Sequence, residues 1–331
     1  MERGKKSLVL NLKEEKGKQV FLELAKKSDI VVSNYRAGVM EKLGLGYESL
    51  RKINKRIIFL TITGFGSSGP LSSYAGYDMI AQAMSGLADA NGYLDGSPKV
   101  NAMSLDYSAA MMGLASILAA LYVRQRTGEG QSVDISLHDV GLIYAQHLIG
   151  QNMCGMKYQS GNRRQAFAPF SVYRSLDGYA VVAIDEQHRW AAFLKSIGKI
   201  ELLDKESLSS PAARVKNYDE VDEIVSSWAK DLPTEQVVRT VTAAGGASCP
   251  VKKIPELLND QHARFRGMLG EKELPQGKVP YVGSALKLSS TPGRVETLGP
   301  EIGSDTSYVL KDILGYTEDR VRELKSCQVI A

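Results

Sequence analysis

A switch between two hydrophobic periods in the first hundred residues narrows the fold more than anything else in the chain. Residues 7–12 alternate as a strand, 14–27 carry the spacing of an amphipathic helix, and 29–33 and 56–63 are short apolar runs that read as buried strands. Two short helical stretches, 39–43 and 47–53, fill the interval between the last two and are parted by the helix-ending glycines Gly44 and Gly46. Strands separated by helices pair through crossovers, so neighbours run parallel and helices must cover the sheet. The class is α/β.

Residues 64–76 pack glycines, serines and Pro70 into an irregular loop just after a strand, where open α/β sheets commonly line ligand clefts. A helix over 78–89, a turn-rich link over 91–101, a long helix over 107–126 closed by Thr127, Gly128 and Gly130, and a strand over 131–137 complete the first half. Residues 144–168 change character, with Gly150, Gly155 and Gly161 and a polar run. A hairpin over 171–184, helices over 187–197, 219–230 and 234–244, and a strand near 249–252 follow as a smaller α+β unit. The expected organisation is a large domain over 1–150, a linker over 151–168, a small α+β domain over 169–277, and a second linker over 278–300 bearing Pro280, Pro292 and Pro300. Helices over 306–314 and 318–325 then return in the segment 301–331.

The 331 residues are 44% hydrophobic and 24% charged, which fits a globular chain and not a fibrous or disordered one. The net charge of +4 is spread along the chain, so a nucleic-acid partner is not expected. Cys154, Cys249 and Cys327 are odd in number and lack metal-ligand spacing, which points to a reducing, cytoplasmic setting. The longest apolar run, 111–123, falls short of a bilayer span, so no membrane segment is expected, and residues 1–6 lack the apolar core of a secretion signal. Four histidines, His138, His147, His188 and His262, show no zinc spacing, and no metal is expected. Nucleophile-elbow and Walker motifs are missing, which removes support from serine hydrolase and P-loop chemistry.

One acidic residue stands out by position. Asp106 immediately precedes the long helix, where an aspartate serves as an N-cap by accepting free N–H groups. A carboxylate held ionised at a helix start is equally suited to act as a nucleophile. Position alone leaves both open.

An ordered series of motifs adds to this. Gly76-Tyr77-Asp78, Gly86, the Asp106 helix and Arg124-Gln125-Arg126-Thr127-Gly128-Glu129-Gly130-Gln131-Ser132-Val133-Asp134 resemble the family III coenzyme A transferases, the CaiB/BaiF family. The similarity takes in Leu10-Asn11-Leu12-Lys13, Asn34-Tyr35-Arg36 through Gly46-Tyr47, Ile62-Thr63-Gly64-Phe65-Gly66, and the stretch from Leu298-Gly299 to Asp305-Thr306. The resemblance implies a Rossmann-like large domain, a smaller domain and an interlocked homodimer. It implies that Asp106 is the catalytic nucleophile, passing CoA from an acyl-CoA to a small carboxylic acid through anhydride and aspartyl-CoA thioester intermediates. It places CoA near Leu10, Asn11, Leu12, Lys13, Asn34, Tyr35, Arg36, Lys42, Ala75, Gly76, Tyr77 and Asp78. Family members usually begin with a further strand–helix unit carrying part of the CoA cleft, and this chain starts at what would be the next segment. The family's 2-methylacyl-CoA racemase branch is the alternative, but it carries histidine where Tyr77 stands and glutamate where Asp185 stands, and a phenol with a reference pKa near 10 is a poor substitute for that acid/base. A non-catalytic CoA-binding subunit is a third reading.

Overall fold

Three strands, Ile30–Ser33 (β1), Ile58–Thr63 (β2) and Ser132–Ser136 (β3), form a wholly parallel sheet in that order, with Ser33 opposite Thr61 and Thr63 opposite Ser136. This computed structural model describes residues 3–155, 161–164, 166–274 and 277–331. The chain folds as two units, one of Met1–Ala88, Val100–Ile149 and Gly283–Ala331, the other of Asp89–Lys99 and Gly150–Val282.

In the first unit the helices are Glu15–Lys27 (α1), Val39–Lys42 (α2), Tyr47–Ile53 (α3), Asp78–Met84 (α4), Leu87–Ala90 (α5, which runs to the unit's edge), Ser104–Thr127 (α6) and Leu137–Met153 (α7). Three apolar clusters hold them. Ala25, Met40, Leu45, Leu50, Ile57 and Phe59 pack α1 and the crossover onto the sheet. Ala81, Leu105, Ala109, Leu137 and Val140 join α4, α6 and α7. Val20 of α1 packs with Leu310, Tyr316, Leu324, Val329 and Ile330 of the C-terminal segment.

Several expectations are corrected here. Residues 7–12 belong to no sheet among the described residues, because their backbone groups are taken by the C-terminal segment. Ser7 N–H donates to Asp305 Oδ2 at 2.9 Å, Asp305 N–H returns to the Ser7 carbonyl at 3.1 Å, and Asn11 N–H reaches the Val329 carbonyl at 2.8 Å. The helix expected over 78–89 breaks at Gly86, whose φ of +76° ends α4. Residues 144–153 continue α7. Gly141 does not break that helix but lets it approach α4 closely, since a Cβ there would lie 2.3 Å from Ser85 Oγ. The long helix begins at Ser104, ahead of Asp106. Its 24 residues include a window with a mean hydropathy of 1.4, so by length and composition it could cross a membrane, contrary to the reading of its shorter uninterrupted apolar run.

In the second unit Phe170–Arg174 (β4), Tyr179–Ala183 (β5) and Ala247–Pro250 (β6) form an antiparallel sheet. It is covered by Gln187–Ser196 (α8), Pro211–Lys216 (α9), Tyr218–Ala229 (α10) and Thr234–Ala243 (α11) around Trp190, Phe193, Val221, Val225, Val237 and Val241. Short helices Ile254–Leu257 (α12) and Gln261–Phe265 (α13) lead to a hairpin of Leu269–Leu274 (β7) and Gly277–Val282 (β8), which the sequence reading missed. Part of the expected linker over 151–168, namely 156–160 and 165, lies outside the described residues, as do 275–276. The C-terminal segment carries Thr306–Tyr308 (α14), continued by a π-type turn over Val309–Ile313, and Glu318–Ser326 (α15).

Candidate active site

The orientation of α6 places Asp106. Near its C-terminus the buried Arg124 donates to the carbonyls of Asp29 and Arg56 at 3.3 and 3.0 Å and pairs with the Asp29 carboxylate at 2.9 Å. Asp29 and Arg56 stand just before β1 and β2, so this end of the helix lies at the amino edge of the sheet. Midway, Gly113 lies against β2, where a Cβ would come within 2.9 Å of Leu60 Cδ2. Asp106 is 18 residues ahead of Arg124, about 27 Å along the axis at 1.5 Å per residue. That puts it at the carboxyl edge, the edge at which parallel α/β sheets bind ligands.

The local geometry at Asp106 differs from the capping role weighed above. Asp106 is the third residue of α6, and the helix start at Met103 adopts a left-handed φ of +48°. The cap comes from elsewhere: Asp78, at the start of α4, accepts the N–H groups of Leu105 at 2.6 Å and Asp106 at 3.0 Å on one oxygen. Its other oxygen accepts from Gln82 Nε2. Gln82 in turn holds Asn101, accepting its N–H at 2.8 Å and donating to its carbonyl at 2.6 Å. Asp78 and Gln82 are both buried. Sequence reasoning missed this arrangement, for which the signal was the i, i+4 spacing of Asp78 and Gln82 on one helix face.

Among the described residues the Asp106 carboxylate has no hydrogen-bond partner. As a residue it is exposed, yet its carboxyl is crowded enough that lost hydration, with the charge of Asp78 as a lesser cause, holds its pKa above the ordinary aspartate value.

The loop after β2 is pinned at both ends. A Cβ on Gly64 would lie 2.4 Å from Gly76 Cα, and one on Gly76 would lie 2.4 Å from Gly64 Cα, so two backbones cross where side chains do not fit. Within the loop, Asp134 of β3 accepts the Ser67 N–H at 2.8 Å and its hydroxyl at 2.9 Å. Ala75 and Tyr77 stay exposed while Asp78 turns inward.

The other residues singled out from the sequence divide into two groups. Asn34, Tyr35 and Arg36 follow β1 directly and are exposed beside the β2 loop, because β1 and β2 are neighbours. Lys42 is exposed on α2, further along the crossover. Leu10 and Leu12 instead turn their side chains into two of the apolar clusters, which leaves only their backbone to face a ligand. Asn11 Oδ1 accepts the Lys13 N–H at 3.1 Å, shaping the turn into α1. A two-residue connection joins the far end of α1 to β1, so this turn sits at the carboxyl edge as well. Lys13, Arg36 and Lys42 form no ion pair among the described residues. Nor do any three His, Cys, Asp or Glu side chains gather there to hold a metal ion.

Sheet, helix start and carboxylate together define an α/β enzyme with its candidate chemistry at the carboxyl edge of a parallel sheet. The chain belongs to the CoA-transferase family III, which it matches over residues 1–306. It is 32% identical to the succinyl-CoA–L-malate CoA-transferase beta subunit of Chloroflexus aurantiacus, over 99% of this chain and 83% of that protein. It is 35% identical to the acetyl-CoA:oxalate CoA-transferase of Acetobacter aceti, over 87% and 74%. A CaiB/BaiF family protein from Brucella suis superposes with a TM-score of 0.84 at 27% identity, over 94% of this chain and 82% of that one. The first two of these relatives are named as CoA-transferases acting on an acyl-CoA and a carboxylic acid, and CoA is a substrate of CoA-transferases.

Proposed function

We propose that the protein moves CoA from an acyl-CoA to a small carboxylic acid through covalent intermediates on Asp106. The observation that carries the reading is an unengaged carboxylate, raised in pKa, on a helix start whose N–H donors another residue already occupies. An Asp106 oxygen attacks the thioester carbonyl, forming a mixed anhydride and releasing the CoA thiolate. The thiolate attacks the aspartyl carbonyl, which frees the donor acid as its carboxylate and leaves CoA on Asp106 as a thioester. The acceptor carboxylate attacks that thioester, giving a second anhydride and the thiolate again. The thiolate then takes the new acyl group and Asp106 is regenerated. No water or redox partner enters.

Membership of a family whose quoted relatives are named as transferases, together with tyrosine at position 77, favours transfer over racemisation. Incubation with succinyl-CoA or acetyl-CoA and a panel of carboxylic acids, with mass detection of new thioesters, tests the reading. New acyl-CoA without hydrolysis is expected. Epimerised 2-methylacyl-CoA, or tight CoA binding with no exchange across the panel, overturns it.

The unpaired Arg36 and Lys42 are proposed to hold CoA phosphates, with Lys13 at the neighbouring turn. Arg36→Gln and Lys42→Gln are each expected to weaken CoA about 10- to 100-fold, the size of one charge-assisted contact of roughly 1.5–3 kcal/mol. Dephospho and pantetheine analogues should lose less. Equal CoA affinity in both variants, by calorimetry, removes them from the site.

We also infer a homodimer that interlocks through the segments 151–168 and 278–300. Its support is an exposed apolar stripe on α6, Tyr107, Met111, Leu114, Leu118 and Tyr122, at helical spacing and too continuous for a free surface. Light scattering across a dilution series should give a dimer at micromolar concentration, and tagged protomers should exchange over hours or longer. A monomer, or exchange within minutes, counts against it.

A further inference from the structure

Asp106 sits just inside a helix start whose anion site is taken by another residue. N–H groups in a first helical turn lie at the positive end of the helix dipole and bind carboxylates. Those of Leu105 and Asp106 are committed to Asp78, and Asp78 is itself fixed by Gln82 and, through it, by Asn101. An uncapped helix start would draw in the nearest aspartate, and here that is Asp106. A carboxylate that accepts such N–H groups has its lone pairs engaged and is a poorer nucleophile.

We propose that Asp78 is a positioning residue for CoA transfer: by occupying the N–H groups at the start of α6 it fixes the Asp106 backbone and leaves the Asp106 carboxylate unengaged and able to attack. The inference rests on Asp106 being the nucleophile. Around that carboxylate, α4 contributes the charge of Asp78. Further along α6, β2 meets the helix with the aliphatic Leu60 and Ile62 at Gly113, and α7 meets it where the Tyr144 hydroxyl lies 2.7 Å from Ser108 Oγ. Asp78 is the one charge acting on the Asp106 carboxyl among the described residues, and its removal changes both the geometry and the field at Asp106.

The test is Asp78→Asn, which removes the charge and sets an amide NH2 against the Gln82 Nε2 donor, so that the cap on the helix start is displaced, with kcat and KM for acyl-CoA measured separately across pH. A kcat lower by about 10- to 100-fold is expected, the cost of a misplaced reacting group, with little change in KM. The acid limb of the kcat profile should move to lower pH, because the like charge that resists ionisation of Asp106 is gone. Hydroxylamine capture at Asp106 in the presence of acyl-CoA should slow. A raised KM at unchanged kcat makes Asp78 a ligand contact, and an unchanged kcat with an unmoved acid limb makes it a structural cap; either overturns the proposal. Should Asp78→Asn fail to fold, Gln82→Met frees Asp78 without altering its charge, and a wild-type kcat per folded molecule in that variant overturns the proposal too. A wild-type protein that exchanges CoA without any capture at Asp106 overturns the nucleophile reading itself, and so is distinguishable.

Discussion

Asp106→Asn is expected to stop CoA exchange, by at least about 10⁴-fold, while CoA still binds. The amide matches the carboxylate in size and leaves the Asp78 contacts with Leu105 and Asp106 N–H in place, so the loss reads out the nucleophile and not the helix. Stability should move the other way. A carboxyl whose folded pKa lies above its unfolded value costs stability while ionised, and the cost disappears as pH falls below both values. At neutral pH the asparagine variant should therefore melt no lower than wild type, and the two curves should converge in acid. The same shift sets the activity profile, in which exchange by the wild-type protein declines on the acid side through a pKa above that of an ordinary aspartate. Turnover in Asp106→Asn, or hydroxylamine modification at another residue, defeats the assignment.

Gly64→Ala is expected to be strongly damaging to the loop that carries Gly76, Tyr77 and Asp78. The added Cβ has backbone on its far side at 2.4 Å, and backbone cannot rotate away as a flexible side chain can. The Gly64 carbonyl also receives the His138 N–H at 3.0 Å, which sets the start of α7, so a shift to relieve the clash disturbs the next element. A loss of about 3 kcal/mol is expected, at the upper end for overpacking, and with it a displaced Gly76-Tyr77-Asp78 turn. Thermal melting and exchange assays at matched folded fraction test this. An alanine variant as stable and active as wild type would show that the two segments can part freely.

What the sequence disclosed depended on whether its signal was local. The apolar runs of β1 and β2 and the long α6 pattern are properties of consecutive residues, and the structure follows them closely. The motif series led to the family because it is an ordered string spread along most of the chain. Asp78 as a cap was illegible for the opposite reason, since donor and acceptor are 27 residues apart and only tertiary structure joins them. Residues 7–12 have the alternation of a strand, but a strand also needs a ladder partner, and the C-terminal segment supplies single contacts instead. The charged hairpin β7–β8 alternates too weakly to announce itself, with Glu271, Lys272, Glu273 and Lys278 breaking the apolar rhythm. Gly150 looked like punctuation, yet it lies within α7, as does Gly141, a point of close packing.

The contacts between the two ends of the first unit carry a consequence for how the chain is made. Ser7 with Asp305, Asn11 with Val329, Lys16 with Glu323, and Glu23 with Tyr316 and Arg320 each join residues about 300 positions apart. During synthesis α1 must wait for nearly the whole of this chain to emerge before Val20 finds Leu310, Leu324 and Ile330. The core of the second unit draws on residues 168–241 and needs no such delay. The cluster of Ala81, Leu105, Ala109, Leu137 and Val140 that carries the start of α6 needs none either, so what stays exposed to proteases and chaperones until the C-terminal segment arrives is the Val20 face of α1.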